Sequence, residues 1–538
     1  MRYRLQVLNW LALGAVLLRN TLPAHATFPG KNGRIALIPQ VKRRFCMRTL
    51  PERLVYILVT LVAISLPLQS SAQNHPTHKQ HHQRYRLFDL GPGSGIGSGI
   101  TVANDQGDVV GGALTSILNP YVLNPNPLFG PAEFTQNAFR WRNGKLKDLG
   151  TLPGGYNSAA GAVNESGTIV GLSEDGVIDP LTGYPEAFGV LWSHGRIHNL
   201  GALGGNQSFA VAINNRGQVT GLAENDVPDP FSLLGGTEAH AFLWERGVMR
   251  DLGTLGGPDS WGFYVNEEGQ VAGFSFTSDL SFHPFLWNKG QMFDLGSFGG
   301  TFGFANALNN RGQVAGFMNL PGDVNAHPFL WDRGTLVDLG TLGGENAEAD
   351  GMNDASEVVG EADDSIPCTP DCDHPQVYRP FLWRHGIMTD LGAVPGDRCG
   401  NAYAINARTQ VVGADGHCHG FVDAFLWERG SIYNLNDLVA GPAPLHLVVA
   451  LFITDDGLIA GTGVPPGVSV YDETLAHVFV LVPCGDRCEE DDAETTSAES
   501  KVREEWLATT AANTAAKQEG GGGMRDRIRQ LFAHRCAR

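Results

Sequence analysis

Charged residues make up only 17% of this 538-residue chain, and the balance is acidic, with a formal net charge of −18. Nucleic acid is not expected as a partner, because phosphate binding needs a basic patch. The two longest apolar runs, Leu5–Leu18 and Leu54–Leu68, fall short of the roughly 20 residues that span a bilayer, so no integral membrane domain is expected. No Gly-x-Ser-x-Gly elbow, His-Glu-x-x-His zinc motif or P-loop occurs, so no catalytic site is assigned and an enzyme is not expected. What is abundant is glycine, at 69, and proline, at 30, a composition of short strands and turns that points to an all-β fold.

The amino terminus holds two secretion-like segments in tandem. Arg2 and Arg4 precede the first apolar run, which ends near Ala24-His25-Ala26; Arg48 and Arg53 precede the second, which ends at Ser70-Ser71-Ala72. Met47 is read as the true start, with 1–46 an upstream extension, 47–72 a signal peptide and 73–83 a linker. Losing Met1–Ala72 removes ten Lys or Arg against the single acid Glu52 and leaves a still more acidic, secreted or periplasmic protein. Residues 484–538 read as a disordered tail, acidic then Ala-rich, with a short basic end at Arg525–Arg538.

Between these ends lies an internal repeat. An aromatic strand ending in Trp recurs at Trp141, Trp192, Trp244, Trp287, Trp331, Trp383 and Trp427, at spacings of 43 to 52. The clearest copy runs His240-Ala-Phe-Leu-Trp-Glu-Arg-Gly247, Val248-Met-Arg-Asp-Leu-Gly253, Thr254-Leu-Gly-Gly257, Phe263-Tyr-Val-Asn266 and Gly269-Gln-Val-Ala-Gly273. Alternating apolar residues make four strands of it, a to d, with a type I turn and a left-handed glycine expected in both Trp-x-x-Gly and Asn-x-x-Gly. A lone four-stranded sheet cannot bury either apolar face, so neighbouring units must stack, and radial stacking gives a propeller.

The ends of the array favour closure. It begins with a strand b at Tyr85–Gly91 and ends with an orphan strand a at His477–Val482, which together complete the set. Eight b strands occur, around Asp89, Asp148, Asn199, Asp251, Asp294, Asp338, Asp390 and Asn434. Eight turns lead into strand d, at Asn104, Asn164, Asn214, Asn266, Asn309, Asn353, Asn406 and Asp455. The expectation is an eight-bladed β-propeller of four-stranded antiparallel blades over residues 84–483, closed by pairing of the carboxy-terminal strand with the first. His240-Ala241-Phe242, Asp251–Gly257 and Asn309–Gly316 resemble the HAF family of extracellular repeats over about residues 85–482. The resemblance implies bacterial export and supplies no catalytic residues.

In this topology the short a–b and c–d turns share one face, and the b–c and d–a connections share the other. Every long insertion, Gly112–Asn137, Leu172–Glu186, Leu222–Ala239 and Glu361–Arg379, falls on the second face, where loops on a rigid scaffold would bind a ligand. Candidate binding residues there are Glu174, Asp175, Asp179, Glu224, Asp226, Asp229, Asp363 and Asp364. Such oxygen-rich loops could hold Ca²⁺, although none has EF-hand spacing and a solvated loop is the plainer reading. The recurrent Asp that ends strand b is read as fixing its own loop through backbone amides, and the Trp series as packing between blades.

The cysteines suggest disulfides Cys368–Cys372, Cys399–Cys418 and Cys484–Cys488, the second bridging two loops of one face. A zinc site from Cys368, Cys372, His374, His417, Cys418 and His419 lacks finger or ribbon spacing. The functional expectation is an exported, monomeric, non-enzymatic binding or scaffold module for an extracellular polysaccharide, peptide or protein. A polymer-degrading lyase or hydrolase and a structural matrix protein are the other readings. Equivalent side chains in all eight blades would favour a scaffold, and a polar cluster unique to one or two would favour catalysis.

Overall fold

The computed structural model describes residues 83–92, 102–368 apart from some positions within 123–131 and 230–235, 375–471, 475–484 and 488. The proposed leader, the linker up to 82 and the tail beyond 488 lie outside the described residues. Eight four-stranded antiparallel sheets form an eight-bladed β-propeller. Blade 3 is representative: strands Ser208–Ile213 (c), Val219–Asp229 (d), Gly236–Glu245 (a) and Val248–Asp251 (b) lie in that order. The sheet thus starts at strand c, not at strand a. The Gly-rich b–c stretch does not lie inside a unit but carries the chain from the outer edge of one blade to the inner edge of the next. Strands c touch their counterparts in the neighbouring blades all round the ring and are the inner strands; strands b are exposed at the rim.

Closure occurs in blade 8. Three of its strands, His446–Ile453, Ile459–Val464 and His477–Pro483, come from the carboxyl side, and its outermost strand is Tyr85–Pro92. Arg86 pairs with Val482, Leu87 with Leu481, Phe88 with Val480 and Asp89 with Phe479. The orphan strand and the first strand therefore meet as expected, but the completed blade also needs strands c and d ahead of the orphan.

Local chemistry explains the motifs. In strand c of blades 2 to 7 a single-residue bulge interrupts the ladder, for instance between Ala210 and Ala212 or between Gly262 and Tyr264. The bulge brings the strand c backbone against strand d, so that a Cβ on Gly273 would overlap the Trp261 carbonyl oxygen, and this dictates the glycine of Gln-Val-Ala-Gly. The two turn types also differ. In Asn-x-x-Gly only the glycine is left-handed, as expected of a type I turn. In Trp-x-x-Gly both central residues are: Arg246 has φ of 51° and Gly247 of 87°. With Glu245 paired to Val248 this is a two-residue hairpin of the primed kind, whose twist matches that of the strands, and it replaces the type I turn read from sequence.

Blades join through apolar faces and through a girdle of side-chain amides. The Phe of each His-Ala-Phe-type strand lies deepest: Phe242, Phe285, Phe329, Phe381, Phe425 and Phe479 are all 0% exposed. The Trp two residues on is buried or half-buried, in keeping with a packing role. On the short-turn face, the Asn266 carbonyl-type oxygen accepts from the amides of Glu268 and Gln270, while its Nδ2 donates to the Asn309 carbonyl of the next blade at 3.0 Å. The same inter-blade donation runs from Asn104, Asn164, Asn214, Asn309, Asn353 and Asn406. In blade 8 the equivalent residue is Thr454, not Asp455, because Thr454 receives the Asn406 amide and its own hydroxyl accepts from Leu458 N. Asp455 stands one place on, and its backbone N–H donates to Asp105 Oδ1 at 2.8 Å, linking blade 8 to blade 1.

Two outcomes follow for stability. Phe479→Ala, which empties the closing strand's core position, should cost about 3–5 kcal/mol in urea unfolding. Asn266→Ala should cost about 1–3 kcal/mol, because it strands buried amides, whereas Glu268→Ala at an exposed position of the same turn should stay within about 0.5 kcal/mol.

Candidate functional site

The eight expected loop residues divide by burial. Glu174, Asp179, Glu224 and Asp363 are at most 3% exposed and hold backbone or side-chain amides of the fold, with Glu224 Oε1 left without a hydrogen-bond partner. Glu174 accepts from Asn157 N and Nδ2, Glu224 from Asn206 N, and Asp363 from Asn346 Nδ2. Asp179 accepts from Leu181 N, Thr182 Oγ1 and Asn206 Nδ2. Asp226 is exposed, Asp175, Asp229 and Asp364 are half-buried, and Arg379 lies 3.7 Å from Asp364. The residues that end strand b behave as read from sequence: each of Asp89, Asp148, Asn199, Asp251, Asp294, Asp338, Asp390 and Asn434 accepts from the amide two residues on, at 2.7 to 2.9 Å. Four of these carboxylates also hold the His of strand a, in the pairs His240–Asp251, His283–Asp294, His327–Asp338 and His477–Asp89. This gives the His of His-Ala-Phe its role as a clip across the outer hairpin.

The disulfides Cys399–Cys418 and Cys484–Cys488 are formed, the first between strand c and the end of strand d of blade 7. Cys368 is disulfide-bonded and packs beside that bridge, while Cys372 and His374 lie outside the described residues. Cys418 is therefore committed to sulfur, and among the described residues no three His, Cys, Asp or Glu are arranged to hold a metal ion.

Two of the long insertions lean inward rather than standing clear. Asn126, from the blade 1 insertion, donates to the Pro185 carbonyl at 2.7 Å and to Gln207 Oε1 at 2.9 Å, and Phe129 packs with Phe209 and Phe263 of the inner strands. Leu234, from the blade 3 insertion, joins the same cluster. Beneath them the inner ends of blades 3 to 5 interlock as an aromatic arc. Phe209 meets Trp261, Phe263 stacks on Phe304 at 5.8 Å, Phe274 lies 4.5 Å from Phe304, and Phe304 stacks on Phe317.

Blade 6 breaks this pattern at equivalent positions. In blade 4 the ladder pairs Trp261 with Phe274 and Phe263 is the bulge residue; in blade 5 the set is Phe304, Phe317 and Asn306. In blade 6, Gly343–Met352 and Val358–Pro367 place Glu348 opposite Glu361, with Asp350 at the bulge. Like charges directly opposite on a ladder repel. All three carboxyls are half-buried. Burial, then the nearby Asp350, pushes Glu348 up to about 8. Burial pushes Asp350 up to about 7 against a hydrogen bond from Asn401. Glu361 is raised well above the usual carboxylate range by burial and then by Glu348, Asp350 and Asp363. Tyr264 of blade 4 is raised by burial and by the charge of Asp350, so Asp350 stands near the Tyr264 ring.

The loop-based search missed Glu348, Asp350 and Asn401, and met Glu361 only as the boundary of an insertion. The signal that finds them is the repeat itself, read in register, where acids stand at positions that other blades fill with Phe or Trp.

These shifts set a direction for stability against pH. A carboxyl whose folded pKa is raised stabilises the fold fully below its unfolded pKa, and that contribution is lost as pH rises through the folded value. Glu174, Glu224 and Asp415, each pushed up to about 7 by burial, act in the same sense as Glu348 and Asp350. So does His283, raised by its hydrogen bond to Asp294. The thermal midpoint should fall between about pH 5 and pH 8, and the triple variant E348Q/D350N/E361Q should show a flatter profile in scanning calorimetry.

No family model matches the chain, and no curated protein matches it. Among solved structures, it is similar to a puromycin-hydrolyzing peptidase of Mycobacterium tuberculosis, at 10% identity and a TM-score of 0.36, covering 71% of this chain and 59% of that one. An acylaminoacyl peptidase of Pyrococcus horikoshii gives 10% identity and a TM-score of 0.34, covering 70% and 60%. This chain thus spans about three fifths of the length of those two. A GH93 α-L-arabinofuranosidase of Fusarium graminearum, in complex with arabinobiose, gives 10% identity and a TM-score of 0.28, covering 60% and 91%. Likenesses this distant carry no argument about the site. What the sheets themselves show is an eight-bladed β-propeller, closed by one strand from the amino-terminal side and three from the carboxyl side.

Proposed function

We propose that this protein is an exported binding propeller of the HAF repeat type, acting as a monomer, which takes its ligand at the inner end of blade 6. One observation carries the reading: the triad Glu348, Asp350 and Glu361 is confined to one blade of a repeat that otherwise places apolar or neutral residues at the matching positions of blades 3 to 5. Packing gains nothing from carboxyls there, since burying charge is costly. A site that differs from its counterparts in blades 3 to 5 recognises something in particular, and the ring holds it rigid. The disulfides Cys399–Cys418 and Cys484–Cys488 support an oxidising, extracytoplasmic setting.

A second reading, hydrolysis or elimination on an extracellular polymer, is favoured by the same confinement to one blade. Against it, acid–base catalysis needs neighbouring groups whose pKa values are pushed apart, and all three carboxyls here move the same way. The test is a glycan and peptide array probed with the full chain beside the E348Q/D350N/E361Q variant. Binding that weakens at least tenfold in the triple variant and not in D226N supports the proposal. Ligands retained by the triple variant but lost on changing the loops would move the site outward. Turnover of a bound polymer by the unaltered chain would replace the binding role with the enzymatic one.

A further inference from the structure

We propose that the ligand taken up at the inner end of blade 6 presents a primary ammonium group on an organic carrier. This rests on the binding reading above and narrows it to a chemical class. The argument starts from what the site leaves unmet. Asn401 stands on the inner strand of blade 7, Cys399–Ile405, and is 7% exposed. Its side chain hydrogen-bonds Asp350, which directs the amide at the acidic set. Yet Asn401 Oδ1 has no hydrogen-bond partner, and neither has Asp350 Oδ2. Asn401 Oδ1 is an acceptor, and so is Asp350 Oδ2 once the carboxyl is ionised. Buried acceptors without donors each cost on the order of 1–3 kcal/mol, so what completes this site must bring N–H or O–H groups.

The neighbouring amide cannot supply them. Asn306, the bulge residue of blade 5, spends its Nδ2 on the Ala349 carbonyl at 2.9 Å. Arg379, the cation of blade 6 nearest in sequence to the acidic strand pair, stands 3.7 Å from Asp364 instead. The occupant must therefore be positive as well as donor-rich, because Glu348 and Glu361 oppose each other with Asp350 beside them. An ammonium group supplies one charge and three donors from a single atom.

Aromatic chemistry separates an organic cation from a metal ion. Asn306, on the same strand as Phe304, donates to the Ala349 carbonyl between Glu348 and Asp350, and the charge of Asp350 reaches Tyr264, so aromatic side chains border the acids and take up the carbon attached to an ammonium group. A hard metal ion wants six to eight oxygens and gains nothing from such walls. The chain's net charge of −18 draws cations towards the ring at low ionic strength.

The experiment is calorimetric titration of the full chain with pentylammonium, with 1-pentanol as the neutral isostere and with Ca²⁺ alone, at one ionic strength. Pentylammonium should bind at least tenfold more tightly than pentanol. E348Q/E361Q should lose at least tenfold of that affinity with an unchanged circular dichroism spectrum, and D350N, should the double variant fold poorly, should do the same. N401L, which removes the orphaned acceptor, should weaken the amine by several-fold. Equal affinity for pentanol, or amine binding indifferent to the carboxyl variants, would sink the inference, as would Ca²⁺ binding in place of the amine. If neutral glycans bind in a carboxyl-dependent way while pentylammonium does not, the site stands and the ammonium assignment falls. If neither kind binds, both fall together.

Discussion

The structure depends on the seam in blade 8, where Tyr85–Pro92 is hydrogen-bonded beside His477–Pro483. Each blade is a sheet with two apolar faces, and only a ring lets every face meet another. A ring made of a linear chain must be fastened somewhere. Here the two strands that meet are separated by nearly four hundred residues, so the fastening comes at the highest cost in loop closure, which its buried core residues Phe479, Val480 and Leu481, all 0% exposed, must offset. On the short-turn face the asparagine amides repeat the constraint from blade to blade, and the contact of Asp455 with Asp105 carries it from blade 8 to blade 1.

A repeated scaffold of this kind makes departures readable. Seven of the eight strands a place a phenylalanine at the same buried position, with Val190 in the eighth, and the b strands end alike in an Asp or Asn that grips its own loop. Against such regularity, three acids on one blade stand out as a property of that blade alone. The same comparison removes other candidates: Glu174 and Glu224 occupy equivalent places in blades 2 and 3 and each accepts from a backbone amide just ahead of strand c, so their recurrence marks a structural device.

Much of the ring was legible in residues. The period of the Trp series, the count of Asp-Leu-Gly ends and the unpaired strands at either limit of the array specify eight blades and a circular permutation. Topology made the Cys399–Cys418 bridge feasible, and the structure forms it. What escaped was phase and detail. Nothing in a cyclic pattern says where one sheet stops, because the glycine-rich b–c stretch looks the same whether it turns back or crosses over. Thr454 hid behind Asp455 because a hydroxyl can take an asparagine's accepting role while the more asparagine-like neighbour sits one place on. The candidate site escaped for a similar reason: long acidic loops draw the eye, whereas Glu348 and Glu361 look like ordinary polar residues of a strand until their ladder partners are known.

Composition and periodicity by themselves determined the all-β class, the number of blades and the side on which insertions emerge, since these follow from turn chemistry and from the need to bury two-faced sheets. Which carboxylates face their own backbone and which face the axis was decided only by the tertiary structure. Alternation along a strand names a face, but whether that face meets an aromatic neighbour, an amide or another acid depends on the blade beside it, and a one-residue bulge in the inner strand is enough to change the answer.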